Sequence, residues 1–133
     1  MATTMTNEEI GEAVIAAVKS KEFEALIPMV HQDVEVFEPD GLPYSGTHRG
    51  PEGLGKLLET LMSPGDLTIE NYKVHPTEDG LIMEVDLVWT SSKDGEVFRT
   101  PVVEIERLED GLIREIDMYY KDVAGVTAFY ERQ

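Results

Sequence analysis

At 133 residues, 41% of them hydrophobic, the chain is sized for one domain with a core and room for an internal pocket. It holds no cysteine, which excludes a disulfide framework and a thiolate metal site. Its formal net charge of −16, from 27 acids against 11 Lys plus Arg, repels phosphate backbones and anionic bilayers, so neither nucleic acid nor a membrane surface is expected as a partner. Most of the acids are read as solvated side chains that keep the protein soluble. No run approaches the ~18 apolar residues of a membrane span. Residues 1–6 lack a basic segment followed by an apolar one, so no signal peptide is read and the cytoplasm is the expected compartment.

Thr6 followed by Asn7-Glu8-Glu9 reads as an N-cap with acids in the first helical turn. Ile10, Val14, Ala17 and Val18 recur at helical spacing, which predicts a helix over residues 7–19. After a break at Ser20-Lys21, Phe23, Leu26, Ile27 and Val30 predict a second helix, with Pro28 in its last turn and His31 as a C-terminal cap.

From Asp33 the period changes to two. Val34, Val36 and Glu38 share one face and Glu35 and Phe37 the other, which is the pattern of a strand. Glu38 thereby sits on the same face as two valines, where a hydrophobe would be expected. Pro39, Gly41, Pro43, Gly46 and Gly50 then break the chain into turns. A carboxylate at a strand end beside an irregular loop is a candidate for proton chemistry.

Pro51-Glu52 opens a third helix with a stripe of Leu54, Leu57, Leu58 and Leu61, stopped by Ser63-Pro64-Gly65. Residues 67–75, 81–90, 97–108 and 112–120 read as four strands, the last two joined by the hairpin turn Glu109-Asp110-Gly111. Asp122 is placed to cap a short final helix reaching Phe129. No repeat, low-complexity tract or linker interrupts the series, so residues 1–133 form a single α+β domain. The expected architecture is a cone-shaped, curved antiparallel sheet wrapped over three N-terminal helices around an apolar pocket.

The run from Asp33 to Pro39, with Gly46, Gly50 and the leucine helix behind it, resembles the superfamily of ketosteroid isomerases and SnoaL-like polyketide cyclases, also called nuclear-transport-factor-2-like. The segments Pro101-Val102-Val103-Glu104-Ile105, Asp110 to Ile116 and Tyr120-Lys121-Asp122 resemble it too, so the likeness covers nearly the whole chain. In the isomerases the strand-end acid before proline is the general base, and Glu38 falls on it. Their oxyanion hole pairs a tyrosine with a protonated aspartic acid. The resemblance puts Val103 at that aspartic acid and Val14 near the tyrosine, which implies that both donors are missing and speaks against steroid isomerisation. The cyclase branch uses another acid further along, for which Asp117 and Asp122 are the nearest candidates. The epoxide-hydrolase branch needs an Asp-Arg-Asp relay where this chain has Val85, Leu87 and Met118. Members of the superfamily commonly dimerise through the outer sheet face.

Strand parity then predicts the pocket wall. Ile116, Met118 and Tyr120 face inward in the last strand, Met83, Val85, Leu87 and Trp89 in the second strand of the meander, and Pro101, Val103 and Ile105 in the third. The candidate catalytic residues are Glu38, His48 and Tyr120, with His48 folding back beside Glu38. Tyr44, Trp89, Val103, Ile116 and Met118 are the candidate substrate-binding residues. A buried Glu38 would hold its proton more tightly and suit abstraction of a proton beside a carbonyl. An enolate so formed needs a hydrogen-bond donor, and Tyr44, Tyr120, His48 and Trp89 are the ones on hand.

No metal and no cofactor are expected. His31, His48 and His75 lack ligand spacing, and neither a dinucleotide-binding glycine loop nor a serine nucleophile elbow is present. Two classes of function remain open. One is a cofactor-independent cyclase, isomerase or dehydratase for a small apolar carbonyl compound such as a polyketide intermediate. The other is a binding or accessory protein of the same fold. Val88, Phe98, Val102 and Tyr119, read as outward, suggest a homodimer.

Overall fold

The computed structural model describes residues 5–133. The signal-sequence reading therefore falls mostly outside the described residues. Among those residues no helix is long and apolar enough to cross a membrane.

Helix α1 spans Asn7–Ser20. It opens with a capping box. The Thr6 hydroxyl accepts from the Glu9 amide at 3.1 Å, and the Glu9 carboxylate accepts from the Thr6 amide at 2.8 Å. Lys21 ends it in the left-handed region at φ 64°. The second predicted helix is instead a 3₁₀ helix, Phe23–Met29, with Pro28 inside it. Proline supplies no amide donor there, and the chain leaves directly into β1, Val30–Glu38. His31 is consequently a strand residue, not a helix cap. Its Nε2 pairs with Glu109 at 3.0 Å.

The turn-rich region after Glu38 contains a short strand, β2 (Gly46–Arg49), antiparallel to β1 with Glu38 opposite Gly46. Helix α2, Gly50–Met62, follows with Pro51 in its first turn and buries Leu54, Leu57 and Leu61. Strands β3 (Gly65–Pro76), β4 (Gly80–Ser91), β5 (Val97–Glu109) and β6 (Leu112–Tyr120) form the meander. Asp110 and Gly111 both take positive φ, 53° and 77°, in the two-residue turn that joins β5 to β6. Helix α3, Val123–Glu131, is capped by the Asp122 carboxylate, which accepts from the Gly125 amide at 2.9 Å.

The six strands lie in the order β2-β1-β6-β5-β4-β3. The β1/β6 pair is parallel, with Val36 opposite Ile116, so the sheet is mixed. This corrects the expected antiparallel cone. The sheet is open and not strongly curled, β2 and β3 are its unjoined edges, and the helices include one at the C-terminus. Parallel pairing of β1 with β6 follows from the chain between β1 and the meander, which is long enough to carry a crossover. The core lies between one sheet face and α1, α2 and the 3₁₀ helix, with α3 closing the end near Trp89 through Val126 and Phe129.

Candidate functional site

A β-bulge sets the site. Counted back from the Asp110-Gly111 turn without interruption, β5 and β6 would pair Ile105 with Ile116 and Val103 with Met118. The observed ladder runs Leu108–Ile113 and then Arg107–Glu115, so β6 carries one extra residue, Arg114. Beyond the bulge Glu106 stands opposite Ile116 and Glu104 opposite Met118. The inward face of β5 is therefore Phe98, Thr100, Val102, Glu104 and Glu106. Val103, expected in the pocket wall, is 36% exposed on the opposite face, and Pro101 and Ile105 share that side.

Between sheet and helices lies a cavity of about 100 Å³. Its floor holds Glu38, Glu104, Glu106, Ile116 and Met118, and Val14, Val18, Phe23, Leu54 and Leu58 are among the apolar residues of its roof. Glu38 stays on the buried face of β1 with Val34 and Val36 and is 5% exposed. Its Oε1 has no hydrogen-bond partner. Glu106 is 1% exposed, and its carboxyl has no hydrogen-bond partner other than the Glu104 carboxyl beside it. Burial pushes the Glu38 carboxyl up to about 8, with the nearby Glu104 adding to the rise and a hydrogen bond from Tyr120 opposing it. Burial likewise pushes Glu104 up to about 7. Glu106 is raised well above the ordinary carboxylate range, by burial first and by Glu104 second. Removing a carboxylate from water disfavours its charge, and two such groups on one strand face disfavour each other's.

The tyrosines form a hydroxyl chain. Tyr44 donates to Tyr120 at 2.9 Å, and Tyr120 in turn hydrogen-bonds Glu38. Burial raises both phenols, so they remain protonated donors. Tyr44 rides on the loop between β1 and β2, which α3 holds through a Thr127 hydroxyl bond to the Gly41 carbonyl.

His48 does not reach Glu38. Its Nε2 lies 2.8 Å from the Tyr44 carbonyl, so it braces the loop that carries the tyrosine. Trp89 is fully buried, and its indole N–H donates to the Leu61 carbonyl at 2.9 Å. It belongs to a packed aromatic cluster with Phe98, Phe129 and Tyr130, apart from the cavity. Asp117 is held by Arg107 at 2.8 Å on the outer face, and Asp122 caps α3. Neither cyclase-acid candidate stands in the cavity. Among the described residues, no group of three or more His, Cys, Asp or Glu is arranged to hold a metal ion.

Sequence reasoning missed Glu104, Glu106 and Tyr130. In Val102-Val103-Glu104-Ile105-Glu106 both faces offer hydrophobes, so alternation alone does not choose the inward one, and the bulge reverses the face that a count from the hairpin would give. The alternation of Phe98, Thr100 and Val102 with Glu104 and Glu106 was the available signal.

A SnoaL-like domain family matches residues 12–116. Among curated proteins none matches in sequence. Among solved structures, a protein of unknown function with a cystatin-like fold from Xanthomonas campestris is 24% identical, with a TM-score of 0.80 over 95% of this chain and 98% of that one. TerC, crystallised with polyporic acid, is 21% identical with a TM-score of 0.79 over 94% and 95%. A putative polyketide cyclase from Pseudomonas putida is 16% identical with a TM-score of 0.73 over 88% and 92%. At these identities the likeness establishes the fold.

Proposed function

Because the chain belongs to the SnoaL-like domain family, we propose that it is a cofactor-independent acid/base enzyme acting on a small apolar carbonyl compound such as a polyketide intermediate, by cyclisation, isomerisation or dehydration. The observation that carries this reading is Glu38, buried at a strand end with one carboxyl oxygen free in an apolar cavity. Glu38 in its ionised form takes a proton from the carbon beside the carbonyl, and the electron pair moves onto the carbonyl oxygen. The neutral Glu106 carboxyl, or Glu104 in its protonated form, steadies that oxygen by hydrogen bond or proton transfer. Glu38 returns its proton at the next carbon or to a leaving hydroxyl. Tyr44 and Tyr120 hold the Glu38 carboxyl in position. The carboxyls thus supply the donor function that the resemblance had left empty at Val103.

A cavity of about 100 Å³ is below the ~300 Å³ usual for ligand sites. A substrate of polyketide size enters by displacing Phe23 and Leu58, which the cavity shares with an outer groove of about 490 Å³. The small volume favours a second reading, a binding or accessory protein. Two substitutions separate the readings. With a panel of cyclisable polyketones, Glu38→Gln and Glu38→Ala both lose turnover under the enzyme reading, and the amide form keeps affinity. Turnover that survives both removes Glu38 as the base.

The outer sheet face supports a homodimer in this reading, with Tyr119 alone kept from the residues first expected. Val88 is buried, Phe98 stacks on Phe129 and Val102 faces inward. Val97, Pro101 and Val103 are exposed there beside Tyr119, with Val103 directly opposite Tyr119.

A further inference from the structure

Helix α2 turns apolar side chains in two directions. Leu54, Leu57 and Leu61 are buried in the core. Gly55, Leu58 and Met62, at i, i+3 and i+7, line the outer groove of about 490 Å³ together with Phe23 and Ile27 of the 3₁₀ helix. Ile27 lies 44% exposed there. Phe23 and Leu58 line the inner cavity as well, so groove and cavity meet at these two side chains. The 3₁₀ helix buries only Leu26 of its seven residues, and Glu22 before it makes no side-chain capping bond. Helices of this type are held by poorer hydrogen bonds, so this wall yields more readily than α2. Gly55 keeps the groove open, since a Cβ placed on it meets nothing within 4 Å. Glycine is among the poorest residues for a helix interior, and no close neighbour calls for it here.

We propose that the ligand is a straight-chain carbonyl compound lying across both spaces, its carbonyl in the cavity beside Glu38 and its alkyl tail passing between Phe23 and Leu58 into the groove over Gly55. The cavity alone is smaller than a ligand site usually is, whereas cavity and groove joined fall within the ~300–1,000 Å³ of such sites. New rotamers of Phe23 and Leu58 open a gap for a single chain. A fused ring system would need the 3₁₀ helix and α2 to part. Glu24 and Glu59 edge the groove, and no Lys, Arg or His lines either space, so nothing there pairs with an acid at the far end of the tail. This inference rests on the cavity being the carbonyl site of the proposed function, and it adds the shape of the substrate to that reading.

The test is an NMR titration of the full chain, labelled at the methionine and isoleucine methyls, with 2-butanone, 2-hexanone, 2-nonanone and cyclononanone. Met118 and Ile116 report on the cavity, and Met62 and Ile27 on the groove. Butanone should shift the first pair alone, and 2-nonanone all four. Affinity should rise about twofold with each methylene beyond butanone, since full burial of a methylene gives about fourfold and an open groove covers about half of it. Cyclononanone, equal in carbons, should bind more weakly than 2-nonanone. Gly55→Leu fills the groove, meets no close neighbour and replaces glycine by a better helix former, so the variant folds. It should cut 2-nonanone to the affinity of 2-butanone and leave 2-butanone unchanged. The inference is overturned by 2-nonanone shifting Met118 and Ile116 but not Met62 and Ile27, by a chain-length dependence that survives Gly55→Leu, or by cyclononanone binding as tightly as 2-nonanone. Each of these leaves the carbonyl reading standing. If no ketone shifts Met118 or Ile116, the cavity is not the carbonyl site and both fall.

Discussion

The Tyr44 hydroxyl donates to that of Tyr120 across 2.9 Å, tying the loop after β1 to the end of β6 beside the Glu38 carboxyl. Tyr120 hydrogen-bonds Glu38 and so lowers its proton affinity, against the larger effect of burial. Tyr120→Phe removes that bond while filling the same space, so the Glu38 pKa rises above about 8. A base works only when ionised, and the ionised fraction of Glu38 grows as pH climbs through its pKa. Under the proposed function the variant is therefore slower at pH 7 and regains rate only at higher pH. A pH–rate profile, or carboxyl carbon shifts followed by NMR, checks the direction. A profile identical to the native one would detach Tyr120 from the base.

The three inward acids also set the pH dependence of stability. In the unfolded chain a glutamate titrates near 4.5, whereas folded Glu38 titrates near 8 and Glu104 near 7. Over that window the folded state holds more protons than the unfolded one, so stability is greatest at acid pH and falls as pH rises toward 8. Each tenfold gain in proton affinity corresponds to about 1.4 kcal/mol, so the effect amounts to a few kcal/mol. Urea unfolding at pH 5 and pH 8 should show the lower midpoint at pH 8. Glu106→Gln should raise that midpoint and flatten the dependence. A midpoint that climbs from pH 5 to pH 8 contradicts burial of these acids.

Much of the fold was legible in the sequence because local signals agreed. The Thr6 cap, the leucine stripe of α2, the Asp110-Gly111 turn and the Asp122 cap each have a short-range cause. Three features had none. Pairing of β1 beside β6 joins residues about eighty positions apart, and no local pattern distinguishes it from a closed meander. The 3₁₀ helix shares its apolar spacing with an α-helix, and only Pro28 hinted at the difference. The Arg114 bulge is a single extra residue, yet it exchanges Val103 and Ile105 for Glu104 and Glu106 on the inward face. At the site, Glu38 was readable from alternation. Its acidic neighbours were hidden by that one residue, and the placement of Trp89 in a solid aromatic cluster depended on α3.

Trp89 separates packing from ligand contact. Its indole is buried against Phe98, Phe129 and Tyr130 and bonds the Leu61 carbonyl. Trp89→Phe leaves that carbonyl without the indole donor and leaves a void beside α3. The expected loss of stability is about 2–4 kcal/mol, by the lost bond and the cavity together. Because Trp89 is not itself among the residues that line the cavity, small ligands should bind the variant as they bind the native protein. Denaturant titration with and without ligand measures both quantities. A variant of native stability that has lost ligand affinity would return Trp89 to the binding site.

The outer face of the sheet gives the last prediction. Tyr119 is 56% exposed and Val103 36%, and the two lie opposite each other on neighbouring strands. Side chains this large and apolar, adjacent on an uncovered sheet face, bury well against a second copy related by a two-fold axis, because the same pair then meets itself. The surrounding charges are compatible with such contact, since Asp117 is already neutralised by Arg107 at 2.8 Å. Light scattering at micromolar concentration is expected to give twice the chain mass. Tyr119→Asp adds a charge at the centre of the patch and should shift the protein to monomer. The fold should persist, since an exposed strand position of this kind changes stability by about 0.5 kcal/mol or less. A native protein that scatters as a monomer would leave this face without a partner of its own kind.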